Sequence, residues 1–501
     1  MTRLRVTPKI RPIPVTDRMV HRDKPALRRL FAFPVLLILS ACSQPSADRW
    51  ESLGAEQKPG GLATLPHQAV PRFDLPPPVL GDEEKALFYA GRALAHQPWV
   101  KAPTTTTQRD GLGPLFNARS CLGCHISGGR GNMPANENEA LFTAFVRIGL
   151  DGTDLQQGSV PEPVYGQQLQ TQSTSLSSQL GVPPRDDELR AEASVHVRWH
   201  EQEFRYPDGS RASLRMPEIL LSDFSDGPLH EDTRMSLRNA PAMFGIGLLA
   251  AVPLSELERL ADPQDLDGNG ISGRLNQVWN PRTGATEPGR FGLKANRPDL
   301  PVIVAAAFAH DIGITNRLFP QQPCTSAQIR CLSEPDGNDE EGTELSDNLL
   351  NLTVSFVRDT AVPAARLQQP HAGGRDQFYA ASCQQCHQPS FRTVNVAGAP
   401  FLSEQTIWPY SDLLLHDMGD GLADGRSDFL ATGSEWRTAP LWGIGLQKRV
   451  AGALSLLHDG RARSVEEAVL WHDGEARASR DHYIRLPLVQ RRELEIFVEA
   501  L

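Results

Sequence analysis

The sequence predicts a mainly α protein made of two related domains, with long loops and a small β-containing insertion in the first domain. Three observations support this prediction. The motif Cys-x-x-Cys-His occurs twice, at residues 121–125 and 383–387. Similar segments accompany both motifs, which indicates an internal duplication. The chain of 501 residues contains 41 glycines and 40 prolines, a content that favours turns and short helices.

The N-terminal residues resemble an export signal. Basic residues precede an apolar run at residues 30–39, which is too short to span a bilayer as a helix but suits the core of a signal peptide. The run leads into Leu-Ser-Ala-Cys, which resembles the cleavage site of a bacterial lipoprotein. Residues 1–41 are therefore predicted to be removed and Cys42 to carry a lipid anchor. A plain secretory signal with a chance cysteine is the alternative. By resemblance to known sorting signals, Ser43 favours the outer membrane.

The charge of the exported chain limits its partners. Without residues 1–41 it has 41 basic and 58 acidic residues, a net charge of −17. This balance argues against nucleic acid as a partner and suits a protein on the periplasmic side of the cell envelope. Residues 42–85 contain three consecutive prolines at 76–78 and are expected to form a flexible tether between the anchor and the folded domains.

The Cys-x-x-Cys-His motif is typical of covalent haem attachment. Its two thiols can add across the vinyl groups of a haem, and its histidine can bind the iron. The spacing places both sulfur atoms on one side of a helical turn. A zinc site would need its second pair of ligands about 15–20 residues away, whereas these pairs lie about 260 residues apart. A thioredoxin-like site would need a βαβ frame, which neither region offers. The sequence thus predicts two c-type haems, bound by Cys121, Cys124 and His125 and by Cys383, Cys386 and His387.

Two cysteines remain outside the motifs and the lipoprotein site. Cys324 and Cys331 are close in sequence, in a compartment that permits disulfides. We predict a disulfide between them, with two free thiols as the alternative. On the chain-entropy account the closed loop stabilises the fold by about 2–3 kcal/mol.

Other segments of the two halves repeat each other. Arg-Asn-Ala-Pro at 238–241 leads to Gly-Ile-Gly-Leu at 245–248, and Arg-Thr-Ala-Pro at 437–440 leads to Gly-Ile-Gly-Leu at 443–446. The repetition predicts an N-terminal haem domain at residues 86–365 and a C-terminal one at 366–501. An insertion around residues 135–235 would enlarge the first domain. Its segment 194–198 alternates apolar and polar residues, as a strand does.

A set of segments in this chain resembles the di-haem oxidoreductases, a family described as peroxidases or thiol oxidoreductases. The resemblance covers about residues 85–501 and extends to bacterial di-haem cytochrome c peroxidases and the MauG enzymes. It implies two cytochrome c-like domains with one haem each. The segments that carry it include GLGPLFNARSCLGCH, RNAPAMFGIGLL, DLDGNGISGRLNQV, PYSDLLLHDMGDGLADGR, EWRTAPLWGIGL and LLHDGRARSVEEAVLWHDGEA.

The motifs give one iron ligand for each haem, His125 and His387. In the peroxidase relatives the second ligand of the C-terminal haem follows a short helix. Here a helix is expected from 464 to 471, and His472 occupies the matching place. A surface histidine at a helix end is the alternative reading. Met418 competes as the ligand because methionine is a common haem ligand, while His416 in the same turn suits a structural role.

Three further residues are candidates for roles around the haems. His310 is the candidate acid–base group of the N-terminal haem, because His-Asp-Ile-Gly at 310–313 echoes His-Asp-Met-Gly at 416–419. An ordinary core or surface histidine is the alternative. Arg238 and Arg437 begin the matching Ala-Pro segments and are candidates for ion pairs with haem propionates.

One acidic segment resembles half of a calcium-binding loop. Asp265, Asp267 and Asn269 occupy ligand positions 1, 3 and 5, and Gly270 takes the turn position. Position 12 is Asn276 instead of the usual glutamate, which predicts a weaker or differently completed site. The di-haem peroxidase relatives bind calcium between their domains. A glycine-rich acidic turn without a metal is the alternative.

These features predict a peroxidase-like di-haem oxidoreductase. Electrons would come from a donor protein or a quinol-linked cytochrome, enter at the C-terminal haem and pass to the N-terminal haem. A small oxidant such as hydrogen peroxide would react there. The alternative is an electron-transfer cytochrome without peroxidase activity. Thiol oxidation is suggested by the family description, but no residue argues for it.

Overall fold

The computed structural model describes residues 53–69, 71–105, 109–182, 185, 187–340 and 342–501. The predicted signal peptide and Cys42 lie outside these residues. Helices account for 29% of the structure and strands for 18%, with the strands divided among many small sheets. The prediction of a mainly α protein is therefore wrong. The insertion and the long loops satisfy much of their backbone hydrogen bonding in two-stranded ladders instead of helices.

The helices are mostly short, as the glycine and proline content predicts. The longest of these helices, Asp82–His96, begins with three acidic residues. They favour it because carboxylates stabilise the positive end of a helix dipole. The helices that lie wholly within the described residues are α1 (Asp82–His96), α2 (Cys121–Cys124), α3 (Leu176–Leu180), α4 (Ile246–Ala250), α5 (Leu254–Leu260), α6 (Leu300–Ala307), α7 (Ile329–Leu332), α8 (Asp347–Arg358), α9 (Ala372–Ala380), α10 (Gln447–Ala451), α11 (Val465–Trp471), α12 (Arg477–Arg485) and α13 (Leu488–Ala500).

Each sheet formed by the described residues has two strands. The pairs are antiparallel except for β1 and β10, which are parallel. The strands are β1 (Thr64–Leu65), β2 (Leu115–Phe116), β3 (Ala144–Gly149), β4 (Gln172–Ser173), β5 (Ser194–Arg205), β6 (Arg211–Ser222), β7 (Arg234–Asn239), β8 (Asn276–Asn280), β9 (Ala285–Gly289), β10 (Val362–Pro363), β11 (Phe391–Arg392), β12 (Thr406–Ile407), β13 (Leu415–Asp417) and β14 (Glu435–Arg437).

Two helix pairs cross in the same way in the two halves of the chain. α1 packs on α8 at Gly91, where an added Cβ would lie 2.1 Å from the carbonyl oxygen of Leu352. α9 packs on α13 at Gly374, where a Cβ would lie 2.0 Å from the carbonyl oxygen of Glu493. Only glycine allows such close contact between backbones. One motif follows the first helix of each pair, so the duplication seen in the sequence extends to the packing.

The repeated Gly-Ile-Gly-Leu segments meet at the contact between the halves. Gly245 and Gly443 both adopt left-handed backbone angles, with φ of +72° and +69°. A Cβ on Gly245 would lie 2.5 Å from the Trp442 ring, and one on Gly443 would lie 2.9 Å from the Phe244 ring. The two repeats thus pack reciprocally, each placing an aromatic ring on the glycine of the other.

The segment expected to be a tether is packed from Leu53 onward. Leu53 is fully buried in the core of the C-terminal half. Glu56 is buried as well and accepts a hydrogen bond from the Tyr410 hydroxyl. Farther along, β1 pairs with β10, with Thr64 opposite Val362. Within residues 53–85 the expectation of a flexible tether therefore does not hold, because apolar and buried polar contacts fix the segment.

The insertion contains a long hairpin that reaches the C-terminal half. β5 and β6 pair along twelve residues each, and the predicted strand at 194–198 is confirmed. The hairpin turns at Gly209, whose φ is +84°. Beside this turn, the Tyr206 hydroxyl donates to Glu466 at 3.0 Å. The Arg491 guanidinium donates to Asp208 at 2.9 Å. The insertion therefore packs on α11 and α13.

The predicted disulfide between Cys324 and Cys331 is confirmed. Cys331 is buried and packs with Leu115 and Leu189, so the bridge joins a loop to the first half of the structure. Among the described helices, none combines the length and the apolar character needed to cross a membrane.

The close contact between α9 and α13 at Gly374 gives a matched test of the packing. Gly374→Ala should lower the free energy of unfolding by about 1–3 kcal/mol, because its Cβ meets a backbone carbonyl that cannot move aside. Gly373→Ala, one residue earlier in α9, meets only the flexible Glu493 carboxylate at 3.3 Å. It should leave stability unchanged or raise it by up to about 1 kcal/mol. Denaturant unfolding of the haem-loaded protein measures the free energy of unfolding of both variants. Equal losses of stability would contradict the close packing of α9 on α13.

Candidate haem-binding sites

The first motif lies on α2 and the turn after it. The sulfur of Cys124 lies 3.2 Å from the carbonyl oxygen of Phe142. His125 donates from Nδ1 to the carbonyl oxygen of Pro241 at 2.6 Å, because a carbonyl can only accept. Burial lowers the pKa of His125, so its ring is neutral near pH 7. The second nitrogen, Nε2, carries no proton in this tautomer and is available to a metal.

The second motif repeats this arrangement. A single 3-10 turn, Cys383–Gln385, precedes Cys386 and His387. His387 donates from Nδ1 to the carbonyl oxygen of Tyr410 at 3.0 Å, which again leaves Nε2 free. Burial lowers the pKa of His387 to about 4, so this ring is neutral as well.

A second imidazole faces the second motif. The rings of His387 and His472 have their centroids 6.5 Å apart. Metals bind imidazole nitrogen at about 2 Å, so two imidazoles on opposite sides of one iron have centroids roughly 6 Å apart. His472 donates from Nδ1 to the carbonyl oxygen of Ala468 at 2.7 Å, so its Nε2 is also free. Burial lowers the pKa of His472. These two histidines fit the ligand pair of a six-coordinate haem iron.

α11 positions His472. Its N-terminus is capped by Ser464, whose hydroxyl accepts from the Glu467 N–H at 3.0 Å. The Glu467 carboxylate does not complete a capping box. It accepts from the backbone N–H of Arg463 at 2.8 Å and of Arg215 at 2.7 Å. The buried carboxylate therefore joins the helix that carries His472 to β6 of the insertion.

The other two ligand candidates of the C-terminal half are placed differently. His416 has both ring nitrogens bound to carboxylates, to Asp412 at 2.8 Å and to Glu475 at 2.7 Å. Although burial opposes protonation, Asp412 and the Cys386 thiol beside the ring raise the pKa of His416 well above its usual value. A charged imidazole with both nitrogens occupied is not a ligand. Met418 follows β13, where its backbone N–H binds Ser434. The side chain that faces His387 is therefore His472.

A family comparison agrees with this geometry. The family model described as "Di-haem oxidoreductase, putative peroxidase" matches residues 55–501, nearly the whole chain. The chain belongs to the di-haem oxidoreductase family. No curated protein and no solved structure matched the chain. Membership establishes a haem-containing oxidoreductase, and the two motifs are the parts of the chain that fit its two haems.

The first site of this di-haem oxidoreductase differs from the second. Among the described residues, no imidazole faces His125 as His472 faces His387. His310 lies in a π-helical turn, Phe308–Ile312, and its ring contacts Phe319 at 5.4 Å. Burial, together with Arg147 and Arg297, lowers the pKa of His310 well below its usual value. Its ring is therefore neutral and deep in the protein.

Of the two predicted propionate-binding arginines, Arg238 is buried and Arg437 is half-buried, and they have different partners. Arg238 pairs with Asp428 at 2.7 Å and lies 3.8 Å from Asp424. Arg437 donates to the carbonyl oxygens of Gly292, at 2.9 Å, and Thr438, at 3.5 Å. Burial lowers the pKa of Arg437 to about 10. Arg437 thus has no carboxylate partner at ion-pair distance within the described residues.

The predicted calcium loop brings its acidic residues together and adds one more. Asp262, which the sequence pattern missed, lies with Asp265 and Asp267 within 4.8 Å, oxygen to oxygen. The side chain of Asn269 donates to Asp267 at 2.8 Å. Asn276 does not complete the loop, because its amide is buried and binds the backbone of Lys294 and Asp428.

The role of His472 can be tested by removing its imidazole. His472→Ala should abolish the low-spin spectrum of one haem while both haems stay covalently attached, because one iron loses its second imidazole. His482→Ala, on the next helix, is the matched control and should leave the spectrum unchanged. Optical and EPR spectra of the oxidised protein make the measurement. An unchanged low-spin spectrum in His472→Ala would exclude it as the ligand.

Proposed function

We propose that this di-haem oxidoreductase is a peroxidase-type enzyme in which electrons enter at the second motif and leave at the first. The observation that carries the proposal is the difference between the two sites. His472 faces His387, whereas no histidine among the described residues faces His125. An iron with two imidazoles suits electron transfer, and an iron with one leaves a position for a small oxidant such as hydrogen peroxide.

The residues of the second site suit electron entry. His387 and His472 are neutral and each is held by a backbone carbonyl, so neither ring needs to move or exchange a proton when the iron changes its charge. The covalently held haem supplies the one-electron chemistry, and the protein fixes its ligands and surroundings. Electrons would come from a donor protein or a quinol-linked cytochrome.

His310 is the proposed acid–base group of the first site. A neutral, half-buried imidazole can accept a proton from peroxide and return it to the departing oxygen. The carbonyl oxygen of His310 accepts from the side chains of Gln168 and Gln170, both at 2.9 Å, so the π-helical turn is held in place. Desolvation, with the neighbouring Arg147 and Arg297, lowers the pKa of the ring and keeps it neutral at pH 7.

A second candidate function is electron transfer without peroxide chemistry. This second function would apply if a residue other than histidine bound the iron of the first haem as a second protein ligand. The two functions separate in one measurement on the oxidised protein. A high-spin signal that reacts with hydrogen peroxide supports the enzyme, whereas two low-spin signals that ignore peroxide support the carrier.

The cellular setting is part of the same proposal. Cys42 would anchor the exported chain to a membrane, favouring the outer membrane, with the folded part on the periplasmic side. Calcium is a proposed further ligand, at Asp262, Asp265 and Asp267, three carboxylates that can supply hard oxygen ligands.

The different roles proposed for the two motifs predict opposite effects when each motif is removed. The variant Cys121→Ser with Cys124→Ser should keep one covalent haem, retain the low-spin spectrum and lose peroxide reduction. Cys383→Ser with Cys386→Ser should keep one haem, lose the low-spin spectrum and fail to accept electrons from a protein donor. Mass spectrometry counts the haems in each variant. Peroxide reduction that survives in the first variant would refute the assignment.

The acid–base role predicts a rate effect without a spectral one. His310→Gln should slow the reaction with hydrogen peroxide by about 10²–10⁴-fold, the usual contribution of such a group. His230→Gln, in an exposed turn, is the control and should react at the wild-type rate. Stopped-flow mixing of the oxidised protein with peroxide measures both. Equal rates would exclude His310.

A further inference from the structure

Two arginines near the first motif, one buried and one partly exposed, have no carboxylate at ion-pair distance among the described residues. Arg147, on β3, is 9% exposed, and its Nε atom is buried without a hydrogen-bond partner. No described carboxylate lies within ion-pair distance of its guanidinium. Arg297 is equally unpaired, and its guanidinium donates only to the carbonyl oxygen of the adjacent Asn296, at 2.9 Å. Partial loss of contact with water lowers the pKa of both guanidinium groups.

The neighbouring charges do not compensate for them. Arg238 and Arg426 share Asp428, at 2.7 and 3.0 Å, and Lys294 pairs with Asp424 at 3.0 Å. We call Arg147, Arg238, Lys294, Arg297 and Arg426 the cation cluster.

Electrostatic interactions join the unpaired arginines to this cluster. Arg147 interacts repulsively with Arg238, Arg297 and Arg426, and favourably with Asp428. Asp311 is the other nearby carboxylate, but burial raises its pKa. Five cations thus face three carboxylates, Asp424, Asp428 and Asp311, and the pKa of Asp311 is raised.

An uncompensated guanidinium in such a place is costly. Burying a charge without a partner costs several kcal/mol, and proteins avoid it by pairing the charge or binding a counter-ion. Arginine does not escape by losing its proton at neutral pH. Its planar fork matches a carboxylate, which can accept two parallel hydrogen bonds. The missing partner is therefore an anion, and a carboxylate suits the donors best.

The location ties this anion to the first motif. Asp311, which lies near both unpaired arginines, also interacts with the thiols of Cys121 and Cys124. The backbone just before β3 touches the motif through the contact between Phe142 and Cys124. Arg297 is partly exposed to solvent, so an anion from outside the protein can reach its guanidinium.

We propose that Arg147 and Arg297 together bind a carboxylate beside the first motif. Two sources present this chemistry there, a propionate of the haem attached at the motif and a soluble organic carboxylate. The first source rests on haem attachment at Cys121 and Cys124; neither source requires peroxidase activity. Arg238 and Arg426 are not part of the site, because Asp428 already occupies them.

Redox titration of the holoprotein tests the propionate source. Removing a positive charge beside a haem makes the reduced state less favourable. Arg147→Gln and Arg297→Gln should therefore each lower the reduction potential of the first haem and leave that of the second unchanged. Arg147→Lys keeps the charge and should restore most of the loss. Arg282→Gln removes a half-exposed arginine paired with Asp299 and is the control.

Thermal unfolding with added succinate tests the soluble source. If a free carboxylate binds, succinate should raise the melting temperature of the wild type saturably, beyond sodium chloride at equal ionic strength. Arg147→Gln or Arg297→Gln should remove that rise. Should Arg147→Gln fail to fold, Arg297→Gln, which is less buried, carries both measurements. Unchanged potentials together with no succinate effect would overturn the proposal. If the wild-type protein showed no peroxide turnover, that result would count against the proposed function and not against this site.

Discussion

A hydrogen bond from Nδ1 of an imidazole to a backbone carbonyl is the constraint on which both haem sites depend. It fixes the tautomer, orients the ring and leaves Nε2 unprotonated for a metal. His125, His387 and His472 each meet this condition, through Pro241, Tyr410 and Ala468. His416 does not, because two carboxylates hold its nitrogens and keep it charged. One local interaction thus separates the histidines that suit a metal from the one that does not.

The two carbonyls of the second site, those of Tyr410 and Ala468, are themselves held by parts of the chain that lie far away in sequence. Tyr410 has a left-handed backbone, with φ of +53°, and its hydroxyl donates to Glu56 of the N-terminal segment. Arg375 pairs with the same glutamate at 2.8 Å. Ala468 lies on α11, which Glu467 joins to the hairpin of the insertion. The N-terminal segment and the insertion therefore stabilise the second site, although neither supplies a ligand to it.

The sequence predicted the features that depend on local patterns. These include the motifs, the disulfide, the strand at 194–198 and the duplication, each of which depends on spacing or alternation within a few residues. It failed where distant contacts decide, as in the balance of helix and strand and in the packing of residues 53–85. The lack of an anionic partner at Arg147 could not be foreseen, because an arginine in a strand is usually a solvated one. His472 was proposed from its place after a helix, by resemblance to the peroxidase relatives, but its approach to His387 needed the folded chain.

The two sites differ in their electrostatic surroundings, and this difference bears on the direction of electron flow. Two neutral histidines flank the second site, and imidazole ligation gives a lower potential than ligation by methionine. The cation cluster lies beside the first site, where positive charge favours the reduced state. A carboxylate bound between Arg147 and Arg297 would reduce this positive charge without removing it, because five cations would then face four carboxylates even with Asp311 ionised. The same unpaired arginines that require an anion therefore also suit the proposed passage of electrons from the second motif to the first.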